Sequence, residues 1–366
     1  MQKTTKILVI SDYRDYHTAR PEAYVFIGLA KMGFRIHVMT YPESDLINEF
    51  EEVGIKVIDF HPENKMNKGE INRIREQLVV ENYDIIHLFN NNAIVNGIQA
   101  AKGLPVKVIL YRGYSDNIFW YDPTAYFKFL HPRVDKILCN SLGVEQHLHD
   151  QLFFDKSKTV VINKGHDVSW YDEYTPANIR KELGIPEDAL LLINVANNRK
   201  MKGIPYLLDA MNRLDINLPI HLLLAGHNMD NEENLKIINK GNKKYHIHLL
   251  GFRKDVLNIV AACDVFVLSS ITGESITKSV IEAMCMSVSP VITDIRGNVE
   301  LVIHEESGLI TKSRDGQGMC DAIERLCKDR SLCKQLGINA RNRIATHLNT
   351  VQTIEKTKLM YKDLVG

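Results

Sequence analysis

Two glutamates, Glu274 and Glu282, stand eight positions apart, the first ending Ser269-Ser270-Ile271-Thr272-Gly273-Glu274 and the second ending the SITKSVIE segment that follows. The first closes a loop after an apolar run, and the second falls about two turns into a stretch that reads as a helix. A carboxylate in such a helix can hold a vicinal diol through both oxygens. The stretch Ser275 to Ser279 opens the helix, so its free N–H groups, with the Ser275 and Thr277 hydroxyls, offer phosphate oxygens a place that needs no metal. A second group lies upstream in Asn197-Asn198-Arg199-Lys200-Met201-Lys202-Gly203, directly after another apolar run. Cations there would stabilise a departing anion. In isolation, an i, i+8 pair of glutamates is more often a solvated face and loop lysines are ordinary surface residues, so the surrounding chain has to decide.

Short β-branched runs alternate with amphipathic stretches in both halves, the pattern of parallel sheets covered on both faces. The first half predicts strands at 6–11, 34–40, 56–60, 84–89, 107–111, 136–140 and 159–163, and the second at 190–195, 220–226, 247–251, 265–270, 289–294 and 307–310. At 366 residues the chain exceeds the size at which a single core keeps growing. The expected fold class is therefore α/β, with two Rossmann-like domains, 1–168 and 169–349, whose parallel sheets face a central cleft. Asn163 to Glu187, with two glycines and two prolines, reads as the link. The amphipathic end, about 350–366, lacks a strand partner and is available to pack back on the first domain. Open α/β sheets bind ligands beyond the carboxyl ends of their strands, where both candidate groups fall.

Lys plus Arg and Asp plus Glu both number 45, and the first 168 residues are themselves close to neutral, so nothing points to nucleic acid. Polar Met1 to Lys6 leads into an apolar run too short for a signal segment or a membrane span, so the expectation is a cytoplasmic protein, with peripheral contact at the inner membrane face as an option. The six cysteines form no CxxC pair and are expected to be reduced thiols; Cys320, Cys327 and Cys333 read as a packed helix face rather than a metal cluster. No cofactor and no metal are expected.

The run from Ser269 to Met284 resembles the E-x7-E motif of the retaining glycosyltransferase group 1 family (family 4, GT-B fold). LLLAGHN at 222–228, Gly251 ahead of a helix, ACDVFVLSS at 262–270, PVITD at 290–294, Gly297 with Glu300, and Ser307-Gly308-Leu309-Ile310 follow the family order across most of the second half. The resemblance implies a metal-independent hexosyltransferase that moves a sugar, with retention, from a UDP- or GDP-sugar to a hydroxyl of a glycan or lipid-linked glycan acceptor, as in surface polysaccharide or lipopolysaccharide synthesis. It assigns Glu282 to the ribose, Glu274 to hydroxyls of the donor sugar, Ser275, Ile276 and Thr277 to the diphosphate, and Gly251, Phe252 and Arg253 to the base. The family's upstream loop reads V-G-R-L-x-x-x-K-G. Here Lys202-Gly203 align, while Asn197 stands at the usual arginine, leaving Arg199 as the substitute cation beside the leaving diphosphate.

The first half matches only in outline. The glycine pair usual after the first strand is replaced by Ser11-Asp12-Tyr13-Arg14, and the usual histidine after about the fifth strand by Arg112-Gly113. Asp12, Tyr13, Arg112 and Gly113 are the acceptor-side candidates. Eight aromatic residues crowd Tyr111 to Phe129, suited to stack on acceptor sugars, to touch a lipid carrier, or to be buried between the domains. His87 and His166 read as packing residues. The departures keep two rivals open: a GT-B sugar-nucleotide epimerase and a non-catalytic GT-B partner subunit.

Overall fold

The computed structural model describes residues 4–115, 118–151 and 155–366. Seven strands form one parallel sheet: β1 (Lys6–Ile10), β2 (Arg35–Thr40), β3 (Lys56–Asp59), β4 (Ile85–Leu88), β5 (Lys107–Arg112), β6 (Lys136–Cys139) and β7 (Thr159–Val161), in the order β3-β2-β1-β4-β5-β6-β7. Six form a second: β8 (Leu190–Val195), β9 (Ile220–Ala225), β10 (Ile247–Gly251), β11 (Val265–Leu268), β12 (Ser289–Thr293) and β13 (Leu309–Thr311), in the order β10-β9-β8-β11-β12-β13. All the strands expected from the apolar runs are present, their ends moved by no more than two residues. The chain divides into two compact units, Met1–Gly165 with Leu348–Gly366, and His166–His347.

In the first unit successive residues of β1 serve opposite faces of the sheet, as the two-residue strand period requires. Ile7 and Val9 join Val38, Ile85 and Ile109 in one core, and Leu8 and Ile10 join Ile86, Val108 and Leu110 in the other. The terminal helix Thr350–Val365 closes the first of these cores against helix Tyr16–Lys31. Gly28 permits the approach, because a Cβ there would collide with the Ile354 side chain. Tyr361, wholly buried, brings its hydroxyl within 2.6 Å of His87 Nδ1. Burial drives His87 down to about 3, so the imidazole is neutral. Thr353 Oγ1 donates to the Asn163 carbonyl at 2.8 Å and receives the Gly165 N–H at 2.9 Å. The two stretches that leave this unit are thus fastened to each other inside it.

In the second unit Leu190, Leu192, Leu222, Leu224, Val265, Val267 and Val291 share a core with helices Ile204–Arg213 and Gly316–Lys328, where Cys320 and Cys333 also pack. Strand order reverses between β8 and β11, as it does between β1 and β4. Loops leaving the carboxyl ends of such a pair run to opposite sides and open a crevice, the ligand position of doubly wound sheets. Among the described residues no helix is long and apolar enough to cross a membrane.

Candidate active site

The loops after β8 and β11 meet at the reversal point of the second sheet. The Ile271 N–H donates to the Met201 carbonyl at 2.7 Å and Ser269 Oγ donates to the Lys202 carbonyl at 2.9 Å. Gly203 has φ +62°, and a Cβ there would stand on the Ser269 carbonyl oxygen, so both its conformation and the close approach call for glycine. From β12, Thr293 Oγ1 donates to the Ser270 carbonyl at 2.6 Å and fixes the second loop.

This convergence pairs Lys202 with Glu274, whose side chains are only 17% and 12% exposed. Ser270 Oγ lies 3.0 Å from Glu274 Oε1 and Thr277 Oγ1 lies 3.2 Å from Oε2, so each carboxylate oxygen has a hydroxyl beside it. Thr277 Oγ1 is also 2.8 Å from an Asn298 amide position, and Asn298 is wholly buried. One hydroxyl hydrogen serves one acceptor. The Asn298 oxygen faces Thr277, so the hydroxyl lies between two acceptors, Asn298 Oδ1 and Glu274 Oε2, and donates to one of them at a time. The carboxylate is held in one orientation before any ligand arrives.

Thr277 is the residue before helix Lys278–Cys285, with extended backbone and no side-chain capping bond, because its hydroxyl is engaged with Glu274 and Asn298. The Thr277 side chain thus gives the start of the helix no cap, and among the described residues the Val280 N–H donates to the Thr277 carbonyl at 3.1 Å. Ser275 is buried on the approach to it, and a Cβ on Gly297 would run into the Ser275 backbone. Glu282 is buried one turn inside, with Lys278 Nζ 2.7 Å from its Oε1. Both candidate carboxylates therefore hold a lysine. Lys278 was absent from the sequence candidates; its i, i+4 relation to Glu282 was the available signal.

Arg199 and Lys200 are exposed, and among the described residues neither side chain meets a carboxylate. Asn197, at the usual arginine position, accepts the His227 N–H on Oδ1 at 3.2 Å and ties the loop after β8 to the loop after β9. Gly251 ends β10 with φ +61°. Phe252 stacks on His227, centroids 5.1 Å apart and planes within 5°, a pairing that sequence reasoning missed. Arg253 is bound by Glu182 at 2.7 Å and Asp255 at 2.8 Å, which raise its guanidinium above the usual range and leave its charge already matched.

At the first sheet's carboxyl edge Asp12 takes Arg14 through Nε at 2.9 Å and Nη2 at 2.6 Å, and this bond holds the Asp12 carboxyl below the usual range. The Arg14 guanidinium lies 3.8 Å from the Tyr41 ring centroid, Tyr41 stacks on His61 at 4.3 Å, and Asn90 Nδ2 approaches His61 Nε2 at 2.6 Å. Burial drives His61 down to about 4. The array joins the ends of β1, β2, β3 and β4. Tyr13, expected on the acceptor side, is instead wholly buried and set edge-on to Phe50 at 5.0 Å, because the residue after Asp12 turns inward to the core. Arg112 lies over the rings of Phe129 and Tyr114, at 4.9 and 5.5 Å, with Gly113 beside Tyr111. The aromatic run divides: Phe129 is buried, while Trp120, Tyr121, Tyr126 and Phe127 are 39–64% exposed.

The family model described as Glycosyl transferases group 1 matches residues 176–343, and that described as Glycosyltransferase Family 4 matches residues 24–170. The chain is 26% identical over 303 residues to the UDP-Gal:alpha-D-GlcNAc-diphosphoundecaprenol alpha-1,3-galactosyltransferase of Escherichia coli, covering 78% of this chain and 76% of that one. It is 24% identical over 351 residues to the N-acetyl-alpha-D-glucosaminyl L-malate synthase of Bacillus anthracis, covering 92% and 91%. Anabaena HepE, solved in complex with UDP, superposes with a TM-score of 0.77 at 17% identity, over 98% of this chain and all of that one.

Proposed function

The chain belongs to the group 1 glycosyltransferases of the GT-B fold, and from that premise we propose that it transfers a hexose from a UDP-sugar, with retention and without a metal, to a hydroxyl of a lipid-linked glycan acceptor. The observation that carries this reading is the oriented Lys202–Glu274 pair beside a helix start that Thr277 leaves without a cap, at the reversal point of the second sheet. Glu274 takes hydroxyls of the donor sugar, Glu282 takes the ribose diol, and the Phe252–His227 stack offers a surface for the base. As the bond from the anomeric carbon to the phosphate oxygen breaks, charge grows on the diphosphate, and Lys202 with the N–H groups of the helix start stabilises it. The acceptor oxygen bonds to the same face of the sugar and its proton passes to the departing phosphate oxygen.

The choice of UDP is supported by the complex of HepE with UDP and by the UDP-Gal donor in the Escherichia coli relative's name; that name also favours a lipid-linked acceptor. The exposed Trp120, Tyr121, Tyr126 and Phe127 fit a membrane-surface approach to such an acceptor. Thermal-shift measurements with UDP-, GDP-, ADP- and CMP-sugars, each with and without EDTA, test the reading. Stabilisation by UDP-sugars that EDTA leaves intact supports it, and a strict need for a divalent ion overturns the metal-free mechanism. An epimerised sugar in the NMR spectrum after incubation with UDP-GlcNAc alone would replace transfer with epimerisation. Calorimetry that finds no nucleotide-sugar binding would leave a non-catalytic partner.

A further inference from the structure

Lys278 occupies the first position of helix Lys278–Cys285, the poorest place on a helix for a cation, since the macrodipole is positive at that end. Its pairing with Glu282 also runs in the less favourable direction, lysine before glutamate. Helix stability alone therefore gives no reason for a lysine here. Its surroundings are continuous with the donor site: Lys202 meets Glu274, Glu274 meets Thr277, and Thr277 is bonded in the chain to Lys278, which meets Glu282. Glu282 is mostly buried, whereas the Lys278 side chain is 38% exposed.

We propose that Lys278 is a second diphosphate-binding cation, held on Glu282 in the absence of donor and turned onto a phosphate oxygen when the nucleotide binds. The inference rests on the donor-site reading above. Charge supports it: a nucleotide sugar carries one negative charge on each phosphate, and the site holds one lysine per predicted donor-binding carboxylate. Ribose hydroxyls donating to Glu282 loosen its hold on Lys278 as a phosphate arrives within reach. The same exchange at Glu274 frees Lys202. Each lysine thus serves as a placeholder that keeps a buried carboxylate neutralised until the donor replaces it.

Calorimetry with UDP, UMP and uridine on wild type, Lys278→Met, Lys278→Gln and Lys278→Arg tests this. Both neutral variants are expected to weaken UDP by on the order of tenfold, the contribution of one charged hydrogen bond, with uridine unchanged and Lys278→Arg close to wild type. Equal losses for UDP and uridine would make Lys278 a mere orienter of Glu282 and overturn the proposal, as would unchanged UDP affinity. A wild-type protein that binds no UDP would refute the donor-site reading instead. Melting temperatures of the variants establish that each is folded.

Discussion

The two sheets share one strand order and one point of reversal, yet their carboxyl edges are furnished differently. At the second, the loops after β8 and β11 interlock through backbone bonds and hold an ion pair largely out of solvent. At the first, the residues after β1 to β4 build a pillar of Arg14, Tyr41 and His61, with Asp12 and Arg14 exposed at its top. Charge that is fixed and partly desolvated acts strongly on a charged ligand, whereas an exposed, internally neutralised pair is screened and adaptable. The second edge therefore holds its charged groups in one geometry, as the proposed donor site requires. The first presents an exposed pair whose charges cancel, the edge proposed for the acceptor.

The largest expected effect lies at the second edge. Replacing Glu274 by Ala removes the group proposed to hold the donor sugar and the ion-pair partner of Lys202, and kcat for transfer should fall by on the order of 10²–10³-fold. Transfer at the wild-type rate would remove the basis for distinguishing the two edges.

Two glycines sharpen the contrast. Gly203→Ala forces an L-residue into left-handed backbone, costing about 1–2 kcal/mol, and pushes its Cβ onto a carbonyl that cannot yield, so UDP affinity should fall with stability. Gly28→Ala meets the Ile354 side chain rather than backbone and should cost about 1–3 kcal/mol in chemical denaturation while leaving UDP binding as it was. If both variants weakened UDP alike, the interlocked loops would have no special bearing on the site.

How much of this was legible in the sequence follows the same division. The strands were readable because parallel strands buried on both faces are unbroken β-branched runs, while Lys202, Glu274 and Glu282 were singled out through the family resemblance, and the structure sets them in the loops and helix that follow β8 and β11. The partners that loop residues take were not readable. Tyr13 looks like a surface residue beside Asp12, and its place in the core against Phe50, from helix Ile47–Glu52, shows only in the fold. Arg253 looks available until Glu182, 71 positions away, is seen to hold it. The stack of His227 on Phe252 likewise joins loops from separate strands. Local spacing carries no information about such partners, since they are set by how distant loops cross the sheet edge.

At the first edge a smaller, selective effect is expected. Arg14→Ala should raise the acceptor KM by roughly tenfold if the guanidinium meets acceptor oxygens, with UDP affinity unchanged, as steady-state kinetics with the acceptor varied would record. A loss of UDP binding in this variant would instead tie the pillar to the donor.

The smallest effect concerns a property the units share despite their different edges. His221 stacks with His246 at 4.5 Å and with His248 at 5.3 Å, and its Nδ1 lies 3.0 Å from His248 Nε2. Burial, then repulsion from the two neighbouring imidazoles, Lys243 and Arg180, drives His221 down to about 4, and burial lowers the other two. In the first unit burial puts His37 and His61 at about 4 as well. An unfolded histidine takes its proton near 6.5, so between that pH and about 4 the unfolded chain binds more protons than the folded one. Stability contributed by these neutral imidazoles is thus fully present above about 6.5 and is lost as the pH falls toward 4. Urea midpoints should therefore drop between about pH 7.5 and about pH 5, and His221→Asn should flatten the drop, because it removes one titrating ring and relieves its two neighbours. An unchanged slope in that variant would place the acid sensitivity in the first unit, with His37, His61 and His87.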